Sequence, residues 1–156
     1  MLSAALTTAL QTQIGYEFSA SQTYLGMAAY FHAQNLGGWA TFFERQSAEE
    51  REHALKIFHY RLETGSPAKL PSIPEVPVEY SSALETVEKS LEQEQKVTKA
   101  FKDMTATALK EGDYTGFGFL QWFLAEQVEE EATFERLIAL LKSGINLFQA
   151  EALLPQ

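Results

Sequence analysis

Four acidic side chains stand where apolar residues are expected in this sequence. Glu17, Glu50, Glu94 and Glu130 each interrupt a series of apolar residues spaced three and four apart, and His53 follows Glu50 by three positions. Carboxylates brought together in a low-dielectric core repel one another strongly unless they are protonated or bridged by cations. Two divalent ions would neutralise the four acids, and oxygen ligands with one imidazole suit iron or manganese, with zinc as a competitor.

The simpler interpretation of any one of these acids is a solvated helix flank, because Glu is rarely buried unless it is paired. Glu50 and His53 alone are equally compatible with a surface contact between residues one helical turn apart. The interruption falls near the middle of all four apolar series, which places the acids at one level if the segments are antiparallel helices. That coincidence favours convergence in the core.

The elements that would position these acids are four long amphipathic helices. The apolar series end at "NLGG", "TGSP", "EGD" and "KSG", and a capping-box pattern of Ser82 and Glu85 opens the third. These signals predict four helices. They run from about residue 3 to the stop at 35–38, from Trp39 to Leu62, from Ser82 to the stop at 111–113, and from that stop to about residue 143. We expect a short fifth helix at about 146–154, stopped by Pro155, and a single domain over residues 1–156.

The connection between the second and third helices is long and rich in proline. Its 16 residues, "SPAKLPSIPEVPVEYS", contain four of the five prolines and favour an extended conformation. At about 3.1 Å per residue it spans roughly 50 Å, while a helix of about 27 residues is roughly 40 Å long. The predicted fold class is therefore all-α, a four-helix bundle with one long crossover between helices two and three.

Composition disfavours some partners and excludes cysteine-based sites. The formal net charge of −9 disfavours binding to nucleic acid or to an anionic membrane. There is no cysteine, which excludes disulfides and iron–sulfur clusters and is compatible with a reducing cytosol. We find no signal-peptide pattern and no apolar run of roughly 18 residues, so we expect a cytoplasmic protein with no membrane span.

Four stretches of the sequence together resemble the bacterial non-haem ferritins. They are "YEFSASQTY" around Glu17, "AEEREHA" around Glu50 and His53, "EQEQKVT" around Glu94, and "FLQWFLAEQVEEE" from residue 119 to 131. Related di-metal bundles carry two Glu-x-x-His motifs. This sequence has one, with Gln127 and Glu130 where the second would be, as in ferritin ferroxidase centres.

The resemblance implies a di-iron centre. One iron would be bound by Glu17, Glu50 and His53, and the other by Glu50, Glu94 and Glu130, with Glu50 bridging and Gln127 nearby. A third iron site, as in bacterial ferritins, would use Glu49, Glu126 and Glu129.

Two further expectations concern neighbouring residues. Tyr24 matches the ferritin tyrosine beside the di-iron centre and could supply an electron, although a core aromatic with a satisfied hydroxyl explains it equally well. Trp122 has the same two interpretations, of which we favour plain packing. Arg51 and Glu52 occupy the stretch where bacterioferritins place a haem-ligating methionine, so we expect no haem.

The resulting hypothesis is an iron-storage ferritin with ferroxidase activity. It would oxidise Fe(II) with dioxygen or peroxide and deposit ferric oxide inside a homo-oligomeric shell of roughly 24 subunits. The chain stops after a short apolar tail, "INLFQAEALLPQ", where family members typically have a longer fifth helix, and we expect this tail to pack against symmetry mates. The alternatives are a soluble di-metal carboxylate oxidase or oxygenase acting on an organic substrate, and a non-catalytic helical interaction protein.

Overall fold

The computed structural model describes residues 3–156, and the described chain is a bundle of four long helices. They are α1 (Ala4–Ala33), α2 (Gly37–Glu63), α3 (Ala83–Lys110) and α4 (Tyr114–Lys142), followed by the short α5 (Leu147–Ala150) and a 3-10 turn at Glu151–Leu153. The all-α fold with four long helices and a short fifth is as predicted from the sequence. None of the described helices is long and apolar enough to cross a membrane.

Helix ends follow the predicted signals with one difference. Gly65, Gly112 and Gly144 take positive φ angles at the ends of α2, α3 and α4, the conformation that glycine adopts without strain. The first turn reverses instead at Asn35, with φ of 61°, and α2 begins at Gly37. The predicted start at Trp39 was therefore two residues late, because the two glycines lie inside the first turn of the helix.

The crossover runs along α1, which is why α2 and α3 can be parallel. The Gln11 side chain holds its beginning, donating to the Lys69 carbonyl at 2.6 Å and accepting from the Lys69 N–H at 2.9 Å. Further along, a Cβ added at Gly26 would lie 2.3 Å from the Pro77 carbonyl oxygen. Only glycine permits that close approach of connector and helix.

The apolar interior is divided into two clusters. One surrounds Tyr24, Phe31 and Phe43 toward the α1–α2 turn, and the other surrounds Ile14 and Phe101 toward the opposite end. The four acids identified above are buried between these clusters. The bundle therefore places these four buried acids at mid-height, with apolar packing above and below.

The C-terminal segment packs against the chain's own bundle. The indole N–H of Trp39 donates to the Leu147 carbonyl at 3.0 Å, and a Glu151 carboxylate oxygen accepts from the Trp39 backbone N–H at 3.2 Å. Ala150 and Leu154 are buried, whereas Phe148 and Leu153 remain exposed. The tail is thus partly anchored within one chain, and part of its apolar surface stays exposed.

Candidate metal centre

Two groups of three potential metal ligands meet in the middle of the bundle. Glu17, Glu50 and His53 form one group, and Glu50, Glu94 and Glu130 form the other; within each group one ligand atom per residue lies within 4.8 Å of the others. All five residues are buried. Glu50 belongs to both groups, so the arrangement suits two cations bridged by one carboxylate.

His53 directs one ring nitrogen toward the carboxylates. Its Nδ1 lies 3.3 Å from Glu50 Oε2 and 3.9 Å from Glu17 Oε2. The spacing of three residues on α2 puts Glu50 and His53 on the same helix face. A lone pair on that nitrogen would point into the first ligand group.

Glu94 is held by donors from two other helices. The Tyr24 hydroxyl donates to Glu94 Oε1 at 2.5 Å, and the Gln127 amide donates to Glu94 Oε2 at 3.0 Å and to the Glu94 carbonyl at 3.1 Å. Tyr24 and Gln127 therefore both contact Glu94. In this arrangement both act by orienting Glu94.

Two glutamines that the sequence analysis did not single out orient Glu17 and Glu130. Gln13 donates to Glu17 Oε1 at 3.0 Å, and Gln46 donates to Glu130 Oε2 at 2.9 Å. Both glutamines are buried. Gln13 precedes Glu17 by four residues, so the sequence alone indicates that both lie on one helix face. The Gln46–Glu130 contact joins α2 to α4 and could be found only from the tertiary structure.

Two carboxylate oxygens in the centre are buried without any hydrogen-bond partner. They are Glu17 Oε2 and Glu50 Oε1. A buried acceptor without a donor costs free energy, and more so when it is charged. Because both oxygens belong to the group that also contains His53, the donor set fits a bound cation better than a closed hydrogen-bond network.

Burial raises the pKa of the central carboxyl groups. For Glu50 the pKa lies well above its ordinary value because of desolvation first and then the neighbouring Glu17, Glu94 and Glu130. The pKa of Glu94 is also raised by desolvation, against the hydrogen bonds from Tyr24 and Gln127 that lower it. Desolvation and the Glu94 charge raise the pKa of Glu130 to about 8. These acids resist ionisation together, which a divalent cation would relieve.

The third predicted ligand set lies beside this centre in a more open setting. Glu49, Glu126 and Glu129 line a cavity of about 280 Å³ together with Gln46 and Glu130. Glu49 and Glu129 are exposed and Glu126 is half-buried. Among residues 3–156, neither group of three closely spaced ligands includes any of these three acids.

Trp122 packs at the edge of the bundle, beside the centre. Its side chain is 39% exposed, with Lys56 Nζ only 3.6 Å from the ring centroid. Its indole also packs nearly perpendicular to the His53 imidazole. The contact brings α4 against the ligand face of α2, which helical periodicity alone could not show.

Two antiparallel helix hairpins joined by one long crossover, with buried carboxylates and histidine facing inward, are the arrangement of the ferritin-like class of bundles. The family model that describes the ferritin-like domain matches residues 7–143. The chain belongs to the ferritin family.

Similar proteins from bacteria and archaea support that assignment. Bacterial non-heme ferritins from Staphylococcus aureus and Staphylococcus haemolyticus are 43% and 44% identical over 141 residues, covering 90% of this chain and 85% of theirs. An open pore ferritin structure from Archaeoglobus fulgidus is 34% identical, with a TM-score of 0.94 over 97% of this chain and 96% of that one. A Chlorobium tepidum ferritin structure is 36% identical, with a TM-score of 0.88 over 91% and 87%.

Proposed function

We propose that this protein is an iron-storage ferritin with ferroxidase activity. The observation that carries the proposal is the pair of buried three-ligand groups sharing Glu50. Family membership and similarity to bacterial non-heme ferritins support iron as the metal. Fe(II) is the substrate, Fe(III) is the product, and the oxidant is dioxygen or peroxide.

Each ligand group would bind one Fe(II). Glu17, Glu50 and His53 supply three ligands to the first ion, and Glu50, Glu94 and Glu130 supply three to the second. The bridging carboxylate of Glu50 keeps the two ions adjacent, so that together they can deliver two electrons to one oxidant. The iron supplies the redox chemistry, and the protein supplies geometry and charge balance.

The surrounding donors keep the carboxylates in place while iron enters and leaves. Gln13 holds Glu17, Gln46 holds Glu130, and Gln127 holds Glu94. The Tyr24 phenol is positioned to give its proton to Glu94 if it loses an electron, since its hydroxyl already donates to that carboxylate. Tyr24 is therefore our candidate for a supplementary electron donor.

The third ligand set supports a site for iron in transit. Glu49, Glu126 and Glu129 share a cavity with Glu130, so a cation there would neighbour the second ligand group. The greater exposure of these acids suits exchange with solvent better than tight binding. We propose that ferric product moves from the centre into the cavity of a shell of roughly 24 subunits and mineralises there.

The oxidase or oxygenase alternative gains no specific support. A cavity of about 570 Å³ between α1 and α3 is lined by Gln13, Tyr16 and Ala20, among others, but by none of the five proposed ligands. An organic substrate bound there would not reach the carboxylates directly.

The test is Fe(II) binding and oxidation by the purified protein. We expect anaerobic titration to show tight binding of about two Fe(II) per chain, or about three if the third site is filled. Glu50→Ala and His53→Ala should abolish rapid oxidation. Glu52→Ala, which removes an exposed acid from the same turn of α2, should keep the parent rate.

Two results would contradict the proposal. Oxidation at the parent rate by both Glu50→Ala and His53→Ala would mean that the centre is elsewhere. An elution volume far from that of a shell of about 400 kDa, the size expected for roughly 24 such chains, would argue against storage.

A further inference from the structure

The imidazole of His53 is oriented by aromatic rings. A metal-binding histidine usually donates its second ring N–H to a carboxylate, a carbonyl or water. Among the described residues, the hydrogen bonds of His53 involve Nδ1 alone. The ring instead lies nearly perpendicular to Trp122, at 5.4 Å between centroids, and to Phe123, at 6.1 Å.

The two aromatic neighbours of His53 are held very differently. Phe123 is fully buried and stacked on Phe101 at 4.6 Å, so the core fixes it. Trp122 is 39% exposed. On its indole stands Lys56, with Nζ 3.6 Å from the ring centroid, well within the range of an attractive cation–π contact.

Lys56 has no carboxylate partner among the ion pairs formed within residues 3–156. It follows His53 by three residues on α2, so its side chain starts one turn along the same helix face. Trp122 comes from α4. The imidazole, the indole and the ammonium group therefore form a series that links the two helices.

We propose that Lys56 and Trp122 clamp the His53 imidazole with Nδ1 facing the shared carboxylate. Both are positioning residues, and the inference rests on the proposed role of His53 as an iron ligand. His53 belongs to only one of the two ligand groups. The clamp therefore strengthens binding at the Glu17–Glu50–His53 site and leaves the Glu50–Glu94–Glu130 site unaffected.

Replacing Lys56 with a neutral residue distinguishes the clamp from a purely electrostatic effect of Lys56 on metal affinity. A positive charge near a cation site repels the metal, so charge alone predicts that Lys56→Gln binds divalent ions more tightly. Loss of the clamp predicts the opposite, because a mobile imidazole must be ordered when the metal binds. The direction of the change in affinity is thus diagnostic.

The experiment is a Co(II) titration of the metal-free full-length protein. Binding is measured by calorimetry and by the visible absorption of bound Co(II). Removing the ligand in His53→Ala identifies which binding step belongs to the His53 site. We expect Lys56→Gln to weaken that step by about five- to tenfold and to change its Co(II) spectrum. Lys56→Arg, which keeps a cation able to stack on the indole, should stay close to the parent.

A charge-matched control is available on α3. Lys99 is exposed and pairs with Asp103 at 2.7 Å, so Lys99→Gln changes the net charge equally without touching the centre. It should leave both Co(II) steps unchanged. Trp122→Ala should reproduce the selective loss seen with Lys56→Gln.

Several outcomes would overturn the clamp. They are tighter or unchanged Co(II) binding by Lys56→Gln, equal weakening of both steps, or the same change in Lys99→Gln. If the parent binds Co(II) at both steps and oxidises Fe(II) while Lys56→Gln behaves identically, the clamp alone fails. If the parent binds no Co(II), the proposed centre fails and the clamp with it.

Discussion

Replacing Glu130 with glutamine should stabilise the metal-free protein. Glu130 is buried beside Glu94, and its pKa is raised to about 8 by desolvation first and by the Glu94 charge second. Glutamine has nearly the same shape, carries no charge, and can still accept the hydrogen bond that Gln46 donates at 2.9 Å. The substitution therefore removes an electrostatic cost and keeps the packing.

The size of the effect follows from the pKa shift. A rise from 4.5 to about 8 at about 1.4 kcal/mol per pKa unit corresponds to about 5 kcal/mol for the fully ionised group. Near pH 7 the folded protein largely keeps the proton, which leaves a cost of about 3 kcal/mol. With relaxation of the site and water penetration, we expect a gain of about 1 to 3 kcal/mol, or about 2 to 12 °C in Tm.

The gain should depend on pH in a defined direction. A carboxyl group with a raised folded-state pKa contributes stability that is fully present below its unfolded pKa of 4.5 and is lost as the pH rises through about 8. Glu130→Gln removes this dependence. The Tm difference between variant and parent should be small near pH 4.5, grow as the pH rises, and level off above pH 8.

The assay is thermal unfolding in EDTA between pH 5 and 9, repeated with Zn(II), which does not change oxidation state. Zn(II) should raise the Tm of the parent more than that of Glu130→Gln, because the variant has lost one ligand. Glu135→Gln removes an exposed acid from the same helix and serves as the matched control. Glu130→Gln should also lose the ferroxidase activity that we propose.

The reasoning is refuted if Glu130→Gln melts below the parent in EDTA at pH 8 and responds to Zn(II) as the parent does. A Tm difference that does not vary with pH would equally show that burial of this acid is not the cause.

Three further predictions concern single contacts. Tyr24→Phe removes the hydroxyl that donates to Glu94 at 2.5 Å and should lower the stability of the metal-free protein by about 1 to 3 kcal/mol, measured by denaturant unfolding, since a buried acceptor loses its donor. An unchanged midpoint would mean that this hydrogen bond contributes nothing. Gly38→Ala should lower the Tm, because its Cβ would lie 2.8 Å from the Glu151 Cβ and would displace the carboxylate that accepts from the Trp39 N–H; Gly37→Ala, where space is open, is its control. Deleting residues 145–156 should lower the Tm and weaken the oligomer that we propose, and an unchanged elution volume with an unchanged melting curve would show that the tail is dispensable.

Much of the centre could be predicted because helical periodicity determines which residues share a face. The spacing of Glu17, Glu50, Glu94 and Glu130 within their apolar series placed each acid on the buried side of its helix. Their similar distance from the helix ends placed them at one level once the hairpins and the crossover were recognised. The extended conformation of the proline-rich connector could also be predicted, since proline disrupts regular helix and strand.

Only the tertiary structure decided which side chains meet across helices. Gln46 reaches Glu130 on α4, Lys56 covers Trp122, and Glu151 caps the start of α2. Such contacts depend on the relative rotation and offset of two packed helices and on side-chain rotamers, which follow from the way all the core side chains fill space together. Periodicity within one helix carries information about its buried face, but the partner on that face is determined by the packing of the whole bundle.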